Sequence, residues 1–91
     1  MGQEAFSLEG KTALITGGGT GIGLGIAKEF INAKAKVILT GRREDVLKNA
    51  CAALGENAHY VVADLSILDA IPTLVTDIES KFGAIDILVN N

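Results

Sequence analysis

The sequence holds one cysteine, one proline, one histidine, one tyrosine and no tryptophan, and each shortage closes off a class of protein. A single cysteine, Cys51, can form no internal disulfide, so the chain reads as intracellular and its expected location is the cytoplasm. Cys51 lies among alanines and reads as a small packing residue. His59 has no cysteine or carboxylate at ligand spacing, so no metal site is expected. Eight Lys and Arg against eleven Asp and Glu give a net charge of −3. Without a basic excess there is no electrostatic footprint for nucleic acid. No apolar run approaches the roughly 18 residues that a membrane span needs. The start, Met1-Gly-Gln-Glu-Ala-Phe6, lacks the basic-then-apolar order of a secretory signal, and Phe6 stands where a myristoylation motif has Ser or Thr. What remains is a chain of 91 residues, 48% hydrophobic and 21% charged. That is too apolar for disorder and the right size for one small domain. Glycine alone is in surplus, with 11 in all and six of them between Gly17 and Gly25.

Short apolar runs alternate with longer segments of helical period. The runs are Ala13–Thr16, Val37–Thr40, Tyr60–Ala63 and Ile85–Val89. Each is four or five residues long and almost wholly apolar, as suits strands covered on both faces. Between them, Ile22, Ile26, Ala27, Phe30 and Ile31 form one helical stripe. A second, Val46, Leu47, Ala50 and Leu54, is closed by Gly55, and a third, Ile71, Leu74, Val75, Ile78 and Phe82, by Gly83. The single proline, Pro72, fits the third helix if Asp69 is the N-cap, because a first-turn proline loses no hydrogen bond. Lys34 stands after the first helix where a left-handed residue is expected, at a cost of about 1 kcal/mol relative to glycine. The order β-α-β-α-β-α-β, with strands too far apart for hairpins, predicts a parallel sheet with right-handed crossovers.

The glycines gather where the first strand passes into the first helix. Thr16-Gly-Gly-Gly-Thr-Gly-Ile-Gly23 lacks the common G-x-G-x-x-G spacing and carries G-x-x-x-G-x-G at Gly17, Gly21 and Gly23 instead. Glycine at a strand exit permits positive φ, and a missing Cβ lets a pyrophosphate approach the backbone. A glycine in the first helical turn allows close packing, and the helix N-terminus offers free N–H groups to phosphate. A Walker A loop is excluded, because no Gly-Lys-Ser/Thr follows. The alternative is a glycine-rich turn that binds nothing, which would not need so entropically costly a composition.

Together with Asp64 after the third strand and Leu88-Val-Asn-Asn91 at the end, this loop resembles the short-chain dehydrogenase/reductase family. The last motif matches the start of that family's Asn-Asn-Ala-Gly element. The resemblance covers the chain from about Gly10 onward and implies a Rossmann-like, three-layer, doubly wound α/β fold. Residues 1–91 would supply its N-terminal half, with strand order 3-2-1-4. It also implies a cofactor site built from Gly17, Gly19, Thr20, Gly21, Ile22 and Gly23. In addition, Asp64 would meet the adenine amino group beside the Leu65 backbone, and Asn90 would tie the fourth strand to its neighbours near the adenosine. The alternative for Asp64 is a cap or turn former in Asp-Leu-Ser; for Asn90 a structural role weighs at least as much as a binding one. Thr16 is expected to hydrogen-bond within the loop.

In dinucleotide folds an acid at the end of the second strand accepts the ribose 2′-hydroxyl and repels a 2′-phosphate. This chain has Gly41-Arg-Arg43 there. A guanidinium grips phosphate through paired, charge-assisted hydrogen bonds, so the expected cofactor is NADP(H) rather than NAD. Arg42 is the main 2′-phosphate ligand and Arg43 a second candidate; the alternative is a pair of solvated helix-entry residues. Thr20, where many NADP-preferring relatives carry a basic residue, departs from the pattern.

Hydride transfer also needs a proton donor beside the substrate carbonyl. The family supplies it from a Tyr-x-x-x-Lys pair and a serine beyond the fourth strand. Tyr60 has Asp64 four residues on, and Ser7, Ser66 and Ser80 read as turn or cap residues, so no catalytic residue is assigned. The expected function is carbonyl–alcohol interconversion on a small-molecule substrate by a homo-oligomer, dimer or tetramer, with this chain holding the cofactor. The alternatives are a catalytically inactive nucleotide-binding or regulatory module and another nucleotide-using Rossmann-like enzyme such as a methyltransferase. The fourth strand is expected to form a bare apolar sheet edge, leaving the isolated 91 residues inactive and poorly soluble or only partly folded.

Overall fold

A computed structural model describes residues 7–64, 66 and 71–91. Seven elements follow in the order β1 (Thr12–Thr16), α1 (Gly21–Asn32), β2 (Lys36–Gly41), α2 (Glu44–Leu54), β3 (Ala58–Val62), α3 (Ile71–Phe82) and β4 (Ile87–Asn90). All pairings are parallel and the sheet order is β3-β2-β1-β4. The parallel sheet is the one expected from the alternation of apolar runs and helical stripes, and its Rossmann-like strand order is the one that the resemblance implied.

The two central strands are apolar because both their faces are covered. On one face Ile15, Val37 and Leu39 pack with Ala27 of α1 and with Leu47 and Ala50 of α2. On the other, Leu14 and Ile38 pack with Leu74 and Ile78 of α3. Alternate residues of β1 and β2 therefore serve different cores, as strand geometry requires. Each fully buried Leu or Ile contributes about 1.5–3 kcal/mol relative to exposure.

Several local expectations shift. The buried seam of α1 is Gly23 and Ala27, whereas Ile22 is 75% exposed. Ile22 belongs to the turn that projects past the strand ends, where no sheet lies beneath it. β3 starts two residues earlier than the apolar run and excludes Ala63, because Asn57 and Ala58 already engage β2 at Val37. β4 starts at Ile87 rather than Ile85. The Ile85 amide is taken by the Glu79 carboxylate, and Asp86 makes the first bonds to β1 by exchanging its N–H and carboxylate with Thr12.

The helix ends follow their signals. Lys34 has φ +75°, Gly55 +105° and Gly83 +90°, and Pro72 is the second residue of α3. Asp69, the expected cap of α3, lies outside the described residues. β4 pairs only with β1, and its Leu88 is 65% exposed, so this edge is bare among the described residues, as expected.

One glycine of the cluster has no packing role. A Cβ at Gly25, in the interior of α1, would meet nothing within 4 Å. Replacing Gly25 by Ala is therefore expected to raise stability by about 0.5–1 kcal/mol through reduced unfolded-state entropy. A higher melting temperature with unchanged ligand affinity is the result to look for.

Candidate functional site

A crevice of about 540 Å³ opens at the C-terminal ends of the strands, where the sheet order reverses between β1 and β4. Gly17, Gly19 and Thr20 line it after β1, Arg42 and Arg43 after β2, Asp64 and Ser66 after β3, and Asn91 after β4. Open parallel sheets present their ligands at such a switch point. Gly21, Ile22, Gly23 and Asn90 are not among the lining residues, and Leu65 lies outside the described residues. A second cavity, about 510 Å³, sits at the opposite pole around Lys11, Lys34 and Lys36, and none of the expected site residues lines it.

The glycines of the loop do different work. Gly17 turns the chain out of β1 at φ +64°, and Gly21 starts the helix at φ +59° with open space where a Cβ would stand. Gly23 is required for contact: a Cβ there would overlap the Gly17 carbonyl oxygen and approach Asn91 Nδ2 to 2.8 Å. A Cβ on Gly19 would come within 2.7 Å of Val46 Cγ1. The backbone of the loop is thus pressed between α2 and the start of α1.

The N-terminus of α1 is electrostatically open. Its N-cap, Thr20, makes no side-chain capping bond, and no acid stands in the first turn. The N–H groups of Gly21, Ile22 and Gly23 have no backbone acceptor among the described residues. By contrast, α2 begins with Glu44 and Asp45, which offset its own dipole. An uncompensated first turn with free N–H groups is a place for an anion.

Across the crevice, Arg42 and Arg43 are exposed, and two nearby acids, Glu44 and Asp64, each accept a hydrogen bond from a neighbouring side chain. Tyr60 Oη donates to Glu44 Oε2 at 3.0 Å. Asp64 Oδ1 accepts the Ser66 hydroxyl at 2.6 Å and the Ser66 N–H at 3.0 Å. Those two bonds hold the Asp64 carboxyl below its ordinary value, with the Arg42 charge adding to the effect and desolvation opposing it. Asp64 therefore acts as the turn former considered in the sequence while also facing the crevice. Its contribution to stability is present above the ordinary carboxylate pKa and is lost as pH falls through the depressed one. Ser66→Ala is expected to return the Asp64 pKa upward, which a carbon-detected NMR titration would read directly.

Thr16 departs from expectation. It bonds not within the loop but to the end of β4: its hydroxyl proton is shared between Asn90 Oδ1 at 3.2 Å and Val89 O at 3.4 Å, and its oxygen accepts the Asn91 N–H at 2.9 Å. Thr16 and Asn90 are register partners, so their side chains stand side by side on one face. Asn90 thus has the tying role, away from the crevice lining. Asn91, which the sequence reading left unassigned, lines the crevice and donates from Nδ2 to the Gly17 carbonyl at 3.2 Å. Strand alternation carries that information: if Asn90 faces Thr16, Asn91 turns to the opposite side, toward Gly17.

Thr40 is the other residue missed. It is fully buried at the end of β2, belongs to the crevice wall, and its Oγ1 has no hydrogen-bond partner among the described residues. A buried hydroxyl left without a partner costs about 1–3 kcal/mol. Taken together, the crevice suits a ligand with two separated anionic groups, one at the start of α1 and one at Arg42.

A parallel sheet with a glycine loop before its first helix and a crevice at the switch point defines a Rossmann-like nucleotide-fold protein. The short chain dehydrogenase family model matches residues 11–91, and the chain belongs to that family. It is 43% identical to the oxidoreductase asL5 of Sarocladium schorii, over 92% of this chain and 34% of that protein. Among solved structures, 2-keto-3-deoxy-D-gluconate dehydrogenase from Streptococcus agalactiae superposes with a TM-score of 0.88 at 40% identity, over 100% of this chain and 36% of that one. L-Sorbose reductase from Gluconobacter frateurii, solved in complex with NADPH and L-sorbose, gives 0.86 at 37% identity, over 94% of this chain and 34% of that one. The chain spans about a third of the length of these relatives. No helix among the described residues is long and apolar enough to cross a membrane, and no cluster of potential metal ligands occurs among them.

Proposed function

We propose that this chain forms the cofactor-binding part of an NADP(H)-dependent oxidoreductase that interconverts a carbonyl and an alcohol. The observation that carries the reading is an uncompensated helix start, whose N-cap Thr20 lines the crevice, together with the exposed Arg42 and Arg43 on the same crevice. In this reading the N–H groups of Gly21, Ile22 and Gly23 hold the pyrophosphate, and Gly17 and Gly19 let it approach the backbone. Arg42 takes the 2′-phosphate, with Arg43 beside it. Asp64 meets the adenine amino group, Asn90 ties β4 to Thr16 of β1, and Asn91 braces β4 against Gly17 of the loop. The bound nicotinamide supplies the hydride. The NADPH complex of the sorbose reductase neighbour supports the choice of cofactor.

No residue of this chain is proposed as the proton donor. Tyr60, the only tyrosine, stands on the edge strand β3, and its hydroxyl is held above the ordinary value of 10 by the hydrogen bond to Glu44. The same family reading makes the full protein a cytoplasmic homo-oligomer. The experiment is to express the full gene product and follow loss of reduced-nicotinamide absorbance with a panel of ketones and aldehydes. Carbonyl-dependent oxidation of NADPH is the expected result. Tight NADPH binding with no turnover on any carbonyl would favour a nucleotide-binding regulatory module, and no binding at all would overturn both readings.

A further inference from the structure

The arginine corner carries its own potential competitor. Glu44 follows Arg42 and Arg43 directly in the chain, and a carboxylate there can pair with either guanidinium or repel a phosphate that approaches them. Its position is not left to chance. Glu44 Oε2 accepts the Tyr60 hydroxyl at 3.0 Å. Tyr60 is anchored in β3 opposite Leu39, and its ring packs against the core shared with α1 and α2. A tyrosine on a sheet has only two rotatable side-chain bonds, so its hydroxyl marks a fixed point from which a flexible glutamate can be held. The same bond raises the phenol above its ordinary value.

Building on the reading of Arg42 as the 2′-phosphate ligand, we propose that Tyr60 is a positioning residue for cofactor choice. By fixing the Glu44 carboxylate toward β3, it withholds that negative charge from Arg42 and Arg43 and from the incoming 2′-phosphate. Glu44 keeps its favourable place at the start of α2. The tethered acid thus serves the helix without cancelling the corner. Released from Tyr60, the side chain can swing to the arginines, and the loss falls on the phosphorylated cofactor alone.

The test is equilibrium titration of the full gene product with NADPH and with NADH, for wild type, Tyr60→Phe, Glu44→Gln and the double variant. Tyr60→Phe is expected to weaken NADPH about three- to fivefold, the scale of an exposed charge interaction, and to leave NADH unmoved. Glu44→Gln in the Tyr60→Phe background is expected to restore NADPH affinity, because the released side chain no longer carries a charge. Equal losses for both cofactors would mean that Tyr60 only supports the fold, and would overturn the inference. So would an unchanged NADPH affinity in Tyr60→Phe, or a double variant as weak as the single one. A wild type without NADPH preference would overturn the reading of Arg42 and this inference with it. A preference left undiminished by Tyr60→Phe would overturn this inference alone.

Discussion

Gly23→Ala is expected to abolish cofactor binding and to destabilise the domain by about 1–3 kcal/mol, the usual cost of overpacking. The added Cβ would overlap the Gly17 carbonyl oxygen and crowd Asn91 Nδ2. Neither obstacle can yield cheaply. The Gly17 carbonyl is backbone at the strand exit, where the Gly17 N–H is already bonded to Thr40 O at 2.9 Å. Asn91 Nδ2 in turn donates to that same Gly17 carbonyl. Relief therefore requires α1 to move away from the loop, carrying the N–H groups of Gly21, Ile22 and Gly23 from the anion position. Thermal melting and NADPH titration read the two losses separately. Gly25→Ala, two residues on in the same helix, is the control, since its Cβ enters open space. A Gly23→Ala variant that binds NADPH normally would show that this close contact is not needed for the site.

Arg42→Ala is expected to weaken NADPH by about 10- to 100-fold, in keeping with roughly 1.5–3 kcal/mol for hydrogen bonds to a charged group. NADH affinity should change less than about twofold, since the arginine's partner in this account is the 2′-phosphate. Arg43→Ala should show the same selectivity on a smaller scale. The pattern across the two cofactors matters more than the size of either loss. A general disturbance of the β2–α2 turn would weaken both equally, and that outcome would argue against phosphate recognition by Arg42.

The fold was legible because its signals are local and repeated. Val37 to Thr40 and Ala13 to Thr16 read as strands covered on both faces, and both are buried along their length. The left-handed turns at Lys34, Gly55 and Gly83 were legible for the same reason, since a helix end demands them whatever surrounds it. The glycine loop was legible as a unit, including positive φ at Gly17 and the contact glycine at Gly23. Elements that depend on partners distant in sequence were less so. Thr16 finds its partners at Val89, Asn90 and Asn91, more than seventy residues away, and nothing near Thr16 announces them. The start of β4 was misjudged because Ile85 looks like strand, while its amide is claimed by Glu79. Ile22 fits a helical stripe by spacing, but spacing does not say that the sheet ends before it. Tyr60 and Glu44 lie sixteen residues apart on different elements, and their bond exists only once β3 is laid beside β2. The unpartnered hydroxyl of Thr40 is invisible in a sequence, where it looks like an ordinary strand threonine.

Recognition of a 2′-phosphorylated dinucleotide by the crevice is tested most directly by the ratio of dissociation constants for NADPH and NADH on the unmodified full gene product. The titration should be repeated at low and high ionic strength, because an exposed arginine–phosphate contact is screened by salt. NADPH is expected to bind at least about tenfold more tightly, by the same charge-assisted contact, with a margin that narrows as salt rises. Equal affinities, or tighter binding of NADH, would contradict it.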